Sequence, residues 1–467
     1  MVVVEPSTHH EYSALRHNDQ MPSDELQIRL EAGIPGDMLD FPWELPLMHW
    51  PQELLIPLPR GISRHVVRFV DVGGTVMALK EINEELAQRE YGLLRDLEEL
   101  DIPAVHGVGV VTGRRDARGE PLPGMLVTEH LTWSIPYRTV YTRVLSPQTV
   151  DRLLDALVLL LARLHLVGFA WYDCSLSNVL FRRDAGAFAA YLVDAETGEL
   201  HPRLTDGQRN YDLELAHLNI AGGLMDLVAG GRLGAEFDPI AIADEIPKRY
   251  ERLWEELTEA EHVDGAQRWR IARRVDRLNN LGFDVAELDL RRTPDGVVRI
   301  QPKVVDAGYH SRRLLRLVGL DVGENQARRL LNDLDQYCAA ARAEGLPTAT
   351  LATDARTRRS EKSPREDVIA AHRWLSDVYE PVISAVPSHL RTKLQDAEVF
   401  HEVLEHRWYM SEAAGQDVGL PEAVDDYVNT VLRKKPDEAT LFPMTGDDTG
   451  MLELDALGLL ERSEDDQ

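Results

Sequence analysis

Between Leu54 and Leu131 apolar and polar residues alternate in short runs (LLIPL, HVVRFVDV, TVMALKEI, GVGVV and MLVTEHL), the period of two that half-buried strands require. One stretch among them, EELAQREYGLLRDLEEL, repeats its apolar residues every three to four positions instead and predicts a helix. This part of the chain therefore reads as a small antiparallel sheet with one helix, with Gly73-Gly74 as a hairpin turn between two strands. From Ser146 the period changes. Ser146 and Pro147 suit a helix cap and first helical position, LLDALVLLLARLHLVGFAW is almost continuously apolar, and Gly168 ends the helix. NVLFR and AYLVDA then flank RDAGA and predict a second hairpin whose turn centres near Gly186. Beyond Asp206 helical patterns predominate, through YDLELAHLNIAGGLMDLVAGG and the segments from Pro239 to Ala260. They resume from Val368 to about Leu432 after the linker-like ATDARTRRSEKSPRED.

Together these patterns describe an α+β chain. Of its 467 residues, 1–51 form an amino-terminal extension expected to pack on the adjoining lobe, 52–131 a sheet lobe and 132–260 a helical lobe. A mainly helical basic region (261–350), a linker (351–366) and a helical carboxy-terminal region with an acidic tail (367–467) complete it. The net charge of -28 argues against non-specific attraction to nucleic acid or an anionic membrane, while leaving room for a local basic site. Cys174 and Cys338, the only cysteines, supply neither a disulfide framework nor a cysteine-rich zinc site and fit a reducing, cytoplasmic setting. The amino terminus has no basic flank and too short an apolar run for an export signal. Asp155, Arg163 and His165 interrupt the long apolar helix, which marks it as a core helix rather than a membrane span.

The stretch WYDCSLSNVLF, Trp171 to Phe181, lies between that helix and the second hairpin. Asn178 and Asp194 are placed symmetrically about Gly186, so the hairpin is expected to bring an amide oxygen and a carboxylate to one open end of its ladder. Such a pair can share a hard cation such as Mg²⁺, which takes oxygen ligands and often keeps phosphate as another. Asp173 stands on the preceding loop, where a carboxylate can orient or deprotonate a hydroxyl for in-line phosphoryl transfer. The trio also fits a structural role, with Asp173 and Asn178 as turn formers and Asp194 ending a strand.

Lys80 shifts that balance. It lies inside the apolar strand VMALKEI and is the only lysine among the first 247 residues, although arginine is frequent there. A compact ammonium suits contact with α and β phosphates and can be held by a carboxylate from the following helix, for which Glu90 is the first choice and Glu84 or Glu85 are substitutes. The plain alternative is a lysine snorkelling near a strand end, with Glu90 on a solvated helix face.

Lys80, Glu90, Asp173, Asn178 and Asp194, in this order on a sheet lobe followed by a helical lobe, resemble the protein-kinase-like superfamily over about residues 52 to 260. The style is similar to its bacterial lipopolysaccharide-kinase-like and small-molecule kinase branches. The remainder, with ENQARRLLNDL and EHRWYMSEAAGQDVGLPEAV, resembles an uncharacterised domain that accompanies such modules in actinobacteria. The resemblance implies a two-lobed kinase-like fold followed by a mainly helical domain, with ATP and Mg²⁺ as cofactors. It makes Lys80 and Glu90 an ion pair, Asp173 and Asn178 the ends of a D-x-x-x-x-N catalytic loop, and Asp194 a metal ligand. It also places Glu129, His130 and Leu131 at an interlobe hinge that holds adenine through backbone groups, although they equally suit an ordinary strand end. Asp212 either braces the catalytic loop or is a first-turn acid favoured by the helix dipole.

Several departures bear on function. Trp171-Tyr172-Asp173 replaces His-Arg-Asp, removing the arginine that receives an activation-loop phosphate. Asp194-Ala195-Glu196 replaces Asp-Phe-Gly, and Glu196 either adds a metal ligand or faces solvent, the latter being preferred. No G-x-G-x-x-G precedes Lys80. Only Arg60-Gly61-Ile62-Ser63-Arg64 stands there, as a turn or as a phosphate cover in which Ser63, Arg64 and backbone amides take part. No A-P-E segment follows Asp194, so peptide docking of the eukaryotic kind is not expected. The resemblance thus implies phosphoryl transfer to a hydroxyl of a small molecule, glycan or lipid-linked acceptor. The alternatives are a nucleotide-binding pseudokinase whose tail binds a protein or anionic partner, and an AMP transferase on the same fold.

From Arg268 to Arg329 there are 14 Lys/Arg against 8 Asp/Glu, a local excess of 6 in an acidic chain. Arg273, Arg274 and Arg277 share helical spacing, as do Arg312, Arg313 and Arg316. This face either reads an anionic or protein partner or, as preferred, pairs with the acidic remainder of the same protein or of a second copy.

Overall fold

The computed structural model describes residues 25–435, apart from 33–35, 59–64, 138–139, 141–145, 235–236, 259–260, 264–272, 274–276, 280, 282, 293–297 and 344–363. Its first layer is a five-stranded sheet in the order β1-β4-β5-β3-β2. β2 (Val66–Val72) and β3 (Thr75–Ile82) form a hairpin around Gly73 and Gly74, with φ of 63° and 90°. Positive φ at both central residues lets a two-residue turn follow the right-handed twist of the strands. α1 (Glu84–Glu99) begins at Asn83, whose side chain accepts from the amides of Glu85 and Leu86. β4 (Gly107–Thr112) and β5 (Gly124–Glu129) complete the strands expected from alternation.

The fifth strand is not LLIPL, which contributes only an isolated bridge between Ile56 and Phe69. It is β1 (Gln27–Leu30) from the extension, antiparallel to β4. All six residues of β4 are buried, so its outer edge requires a partner. Gly109 permits the approach: a Cβ there would lie 2.4 Å from the Arg29 carbonyl oxygen. The extension continues over one sheet face, where Trp43 and Trp50 pack with ring centroids 5.3 Å apart beside buried Met38 and Leu47. Buried Arg114 fastens it, with Nε donating to Trp43 O, Nη2 to Leu45 O, and Nη1 to Pro123 O and, at 2.9 Å, to Glu81 Oε1.

The second layer is helical. After β6 (Ser134–Pro136), α2 (Pro147–Leu166) starts from the Ser146 cap and is buried along most of its length at the centre of the largest apolar cluster. β7 (Phe169–Ala170) pairs with β10 (Glu199–Leu200). Between them β8 (Val179–Asp184) and β9 (Ala187–Leu192) form the second hairpin. Val179 opposes Leu192, and Ala185 and Gly186 both have positive φ, so the centre lies between these two residues rather than on Gly186. Asn178 therefore faces Val193, whose amide donates to its carbonyl at 3.1 Å, and Asp194 falls one residue beyond. A two-residue turn has its centre between residues, which shifts the expected pairing by one. α3 (Asp206–Ala229), opened by a Thr205/Gln208 capping box, and α4 (Pro239–Thr258) close the lobe.

Residues 261–350, expected to be mainly helical, contain a sheet ordered β11-β13-β12: β11 (Glu261–Val263), β12 (Phe283–Arg292) and β13 (Val298–Ala307). FDVAELDLRR and VVRIQPKVVDA carry period-two alternation that the density of basic residues obscured. Helices follow: α5 (Tyr309–Val318), α6 (Glu324–Ala343) and α7 (Pro364–Trp374), which continues through a π turn at 375–379 into α8 (Glu380–Ala385). α9 (Asp396–Ala414) and α10 (Leu420–Thr430) finish a second core around Trp374, Phe400 and Tyr427. Among the described residues no helix is long and apolar enough to cross a membrane. In the basic stretch Arg277 pairs with Glu256 at 2.7 Å and Arg312 with Asp101 at 3.3 Å, both within the chain. Arg268 and Arg274, the linker up to 363 and the acidic tail from 436 lie outside the described residues.

The helical carboxy-terminal part is docked on the tip of the β8–β9 hairpin. Asp184 accepts from the amides of Asn325 at 3.0 Å and Gln326 at 2.7 Å, capping α6 from another element. Glu398 Oε2 accepts from the Ala185 amide at 2.9 Å and from Gln326 Nε2 at 3.0 Å. Gly323 leaves the room needed, since a Cβ would lie 2.5 Å from Asp184 Oδ1. Burial pushes the Asp184 carboxyl up to about 6 despite these amides. Asp184→Ala removes a cap and strands two amides, and is expected to cost about 2 kcal/mol in urea unfolding. An unchanged midpoint would show that the contact carries no docking energy.

Candidate active site

The site forms where the sheet lobe meets the loop after β9. On β3 the buried residues Met77 and Leu79 face one way and Lys80 the other, toward α1. The buried stripe of α1 is Ala87, Glu90, Leu94 and Leu97, so Glu90 occupies an apolar position and points inward. Lys80 Nζ lies 2.9 Å from Glu90 Oε2, 2.9 Å from Asp194 Oδ2 and 3.2 Å from Glu196 Oε2. Glu84 is engaged elsewhere, accepting from the Gly113 amide at 2.6 Å.

Glu196 does not face solvent as preferred from sequence. It is 8 % exposed and turned toward Lys80. The cause is local: Asp194 Oδ1 accepts from the Glu196 amide at 3.0 Å, tightening the loop into an Asx turn that swings Glu196 inward. Arg89 adds two bonds to the same loop, from Nη1 to Glu196 O at 3.3 Å and from Nη2 to Gly198 O at 2.7 Å. His65 Nε2 stands 3.0 Å from Glu196 Oε2, close but not aligned as a hydrogen bond.

Three carboxylates thus surround one ammonium. Burial, and behind it the charge of Asp194, push Glu90 up to about 8 against the pull of Lys80. Burial also opposes ionisation of Asp194, but the charge and hydrogen bond of Lys80 prevail and hold it below the usual carboxylate range. Lys80 itself is held above its ordinary range, Glu90 and Asp194 outweighing its desolvation. The excess negative charge calls for a proton or a cation. Among the described residues Glu90, Asp194 and Glu196 offer oxygens within 4.8 Å of one another, a hard donor set that fits a divalent ion of the Mg²⁺ kind.

Asp173 and Asn178, expected to end a catalytic loop, lie beside this cluster. Asn178 Nδ2 donates to Asp173 O and to Asp173 Oδ2, both at 2.9 Å, leaving its amide oxygen as the atom available to a cation. Trp171 Nε1 donates to Asp194 O at 2.7 Å and ties the two loops together. Asp212 is fully buried in the second turn of α3 and braces the loop: its carboxylate accepts from the amides of Trp171 at 2.8 Å and Tyr172 at 2.7 Å. Those bonds hold Tyr172 at φ 63°, a conformation that a non-glycine residue keeps only when its surroundings fix it. His165 Nε2 lies 2.9 Å from Asp212 and Nδ1 2.7 Å from the Tyr250 hydroxyl. His165 and Tyr250 are supporting residues missed from sequence, although His165 was visible as an interruption of an apolar helix.

At the expected hinge, the Glu129 amide donates to His106 O and the His130 amide to Val76 O, while Leu131 O accepts from Ser134 Oγ. These three backbone groups are already committed, so an adenine contact there must use others. Ser63 and Arg64 lie outside the described residues.

A sheet lobe whose lysine pairs with a helix glutamate, set over a helical lobe with an aspartate, an asparagine and a second aspartate in loops around a hairpin, defines a protein-kinase-like module. Residues 76–221 match the model of the lipopolysaccharide kinase (Kdo/WaaP) family, a kinase-like phosphotransferase family, and residues 252–432 match a domain of unknown function, DUF4032. The chain joins a lipopolysaccharide-kinase-like module to that domain. Among solved structures, one described as WaaP in complex with acyl carrier protein matches at 17% identity over 49% of this chain and 100% of that chain, with a TM-score of 0.31. No curated protein matches the chain.

Replacing Asp212 with Asn substitutes a donor for one acceptor oxygen facing a buried N–H. Unfolding in urea should show a loss of roughly 1–3 kcal/mol. Equal stability would mean that the loop is held by other contacts.

Proposed function

We propose that the module transfers the γ-phosphoryl group of ATP to a hydroxyl of a small molecule, glycan or lipid-linked acceptor. The observation that carries this reading is Lys80, shared between Glu90 of the sheet lobe and Asp194 and Glu196 of the helical lobe. An ammonium has three N–H donors, and here three carboxylates take them. A phosphate contact requires the release of one, and Glu196, at 3.2 Å the longest, is the partner to be released.

Asp194 and the amide oxygen of Asn178 would hold Mg²⁺, with Glu196 at hand as a further oxygen. When bound, the ion supplies charge neutralisation at the phosphates. Lys80 then holds the α and β phosphates while Glu90 fixes its direction. Asp173, fixed by Asn178, accepts the acceptor hydroxyl's proton as its oxygen bonds the γ phosphorus and the bond to the β–γ bridging oxygen breaks, releasing ADP. Asp212 positions the backbone that carries Asp173 and touches no substrate.

A nucleotide-binding pseudokinase is the second reading, favoured by the absence of a glycine-rich loop before Lys80. Transfer of AMP on the same fold would leave labelled α phosphate on a product. The pairing of Arg277 with Glu256 and of Arg312 with Asp101 supports a structural role for part of the basic stretch.

Calorimetric titration of ATP with and without Mg²⁺ tests the nucleotide site. Binding should depend on the metal and weaken at least about tenfold, some 1.4 kcal/mol, in Lys80→Ala and Asp194→Asn. No binding at millimolar ATP would overturn it. Asp173→Asn separates kinase from pseudokinase: nucleotide binding should persist, while slow release of γ-labelled phosphate to water falls on the order of 10²-fold or more. Wild-type turnover in that variant would remove Asp173 from the mechanism.

A further inference from the structure

Of the three polar interruptions in the apolar sequence of α2, two have partners. Asp155 pairs with Arg249 at 2.8 Å, and His165 is held between Tyr250 and Asp212. Arg163 is different. It is 9 % exposed, its Nε and Nη2 are enclosed without a hydrogen-bond partner, and among the described residues no carboxylate comes within ion-pairing distance. Its nearest favourable contact is the Phe283 ring, 5.9 Å from Cζ to the centroid, at the outer limit of a cation–π interaction.

A guanidinium keeps its charge, so burial cannot be relieved by losing a proton. Two carboxylates act on it through space, Glu324 and Asp184, and both are committed. Glu324 accepts from the amides of His310 and Ser311 and from Ser311 Oγ. Asp184 caps α6. Turning to Arg163 would cost Glu324 its bonds to the start of α5 and cost Asp184 its cap on α6.

Arg163 lines a cavity of about 950 Å³ between the kinase-like module and α5–α6 of the following domain. None of Lys80, Asp173, Asn178 and Asp194 lines it, so it lies away from the lysine–carboxylate cluster and meets the cleft only on the side of Glu129, His130 and Leu131. Leu159 and Phe188 give it apolar wall, and Asp101 and Arg312, also in its lining, pair with each other. Arg163 is thus a buried guanidinium with no carboxylate partner among the described residues, set in the wall of a partly apolar space, and its own surroundings favour one negative charge beside it.

We propose that this cavity binds a small amphipathic molecule with a single oxyanionic group, a carboxylate or phosphodiester, which pairs with Arg163 while its body lies against Leu159 and Phe188. The permanent charge of a guanidinium, spread over its three nitrogens, suits such a group. The occupant would touch both domains, and Glu129, His130 and Leu131, which also line the cavity, would form part of its surroundings.

Hexanoate and dibutyl phosphate are the probes, with 1-hexanol as the uncharged control, each followed by the melting temperature of the full chain at constant ionic strength. Either anion at tens of millimolar should raise the melting temperature by roughly 2 °C or more while hexanol does not, and the stronger of the two assigns the oxyanion. Arg163→Met should lose that rise, melt higher than the wild type without ligand because an unpaired buried charge is gone, and bind ATP within twofold of the wild type. Should Arg163→Met fail to fold, Leu159→Trp, which sets an indole in the cavity one helical turn from Arg163 and keeps the arginine, must abolish the rise. No response of the wild type to either anion, or an equal response in a folded Arg163→Met or in Leu159→Trp, would overturn the assignment.

Discussion

One ammonium among three carboxylates sets the relation between the two lobes. Lys80 and Glu90 belong to the sheet lobe, Asp194 and Glu196 to the loop after the hairpin, and every direct bond between these groups crosses or braces the lobe boundary. Backbone bonds reinforce it: the Ala195 amide donates to Glu90 at 3.3 Å, and Arg89 holds the carbonyls of residues 196 and 198. Such a cluster is a poor source of net stability, because desolvating four charges offsets most of their attraction. What it does provide is register. An unequal number of opposite charges also leaves the site in want of a cation, which is the electrostatic condition that a metal–phosphate complex satisfies.

The same logic recurs deeper in the chain. Asp212 is buried without a salt-bridging lysine or arginine among the described residues, and its cost is offset by two backbone amides and His165, all held in place by the packed helices. Asp184 is buried against the first turn of α6, where the helix dipole and free amides favour negative charge. Each buried acid fixes a different boundary: Asp212 holds the loop at Trp171 and Tyr172 to α3, and Asp184 holds the hairpin to the next domain. Both boundaries are drawn by hydrogen-bond geometry, which specifies a single arrangement more sharply than apolar contact does.

How much the sequence revealed depends on how local each signal is. The strands of the first hairpin, the Ser146 cap and the glycine turns depend on neighbours a few residues apart, and they are legible. Lys80 was legible as an anomaly of composition, and Glu90 as the first-choice carboxylate on the helix that follows its strand. β1 was not: four residues, QIRL, become a strand only because β4 is buried and Gly109 lets another backbone approach. The direction of Glu196 was hidden because it is set by a hydrogen bond from its own amide to Asp194 and by the pull of Lys80, neither of which periodicity records. The hairpin of β12 and β13 was masked by its charge. In the last two cases charged residues suggested a solvent-facing or helical surface, and only contacts made in the folded chain correct that.

The β8–β9 hairpin joins these features into one mechanical unit. Asn178 precedes its first strand and Asp194 follows its second, so one end carries the loops of the site. Asp184 and Ala185, at the other end, are bonded to α6 and α9 of the carboxy-terminal domain. Six residues of strand span about 20 Å, and a paired hairpin is stiff over that length. α2 packs against β9 and carries Arg163 on the same side as the docked domain. Movement of that domain would therefore reach Asn178 and Asp194 through a strand pair rather than a flexible linker. The accompanying domain is thus built onto the hairpin that supports the loops of Asn178 and Asp194, and any occupant of the space between them bears on the same support.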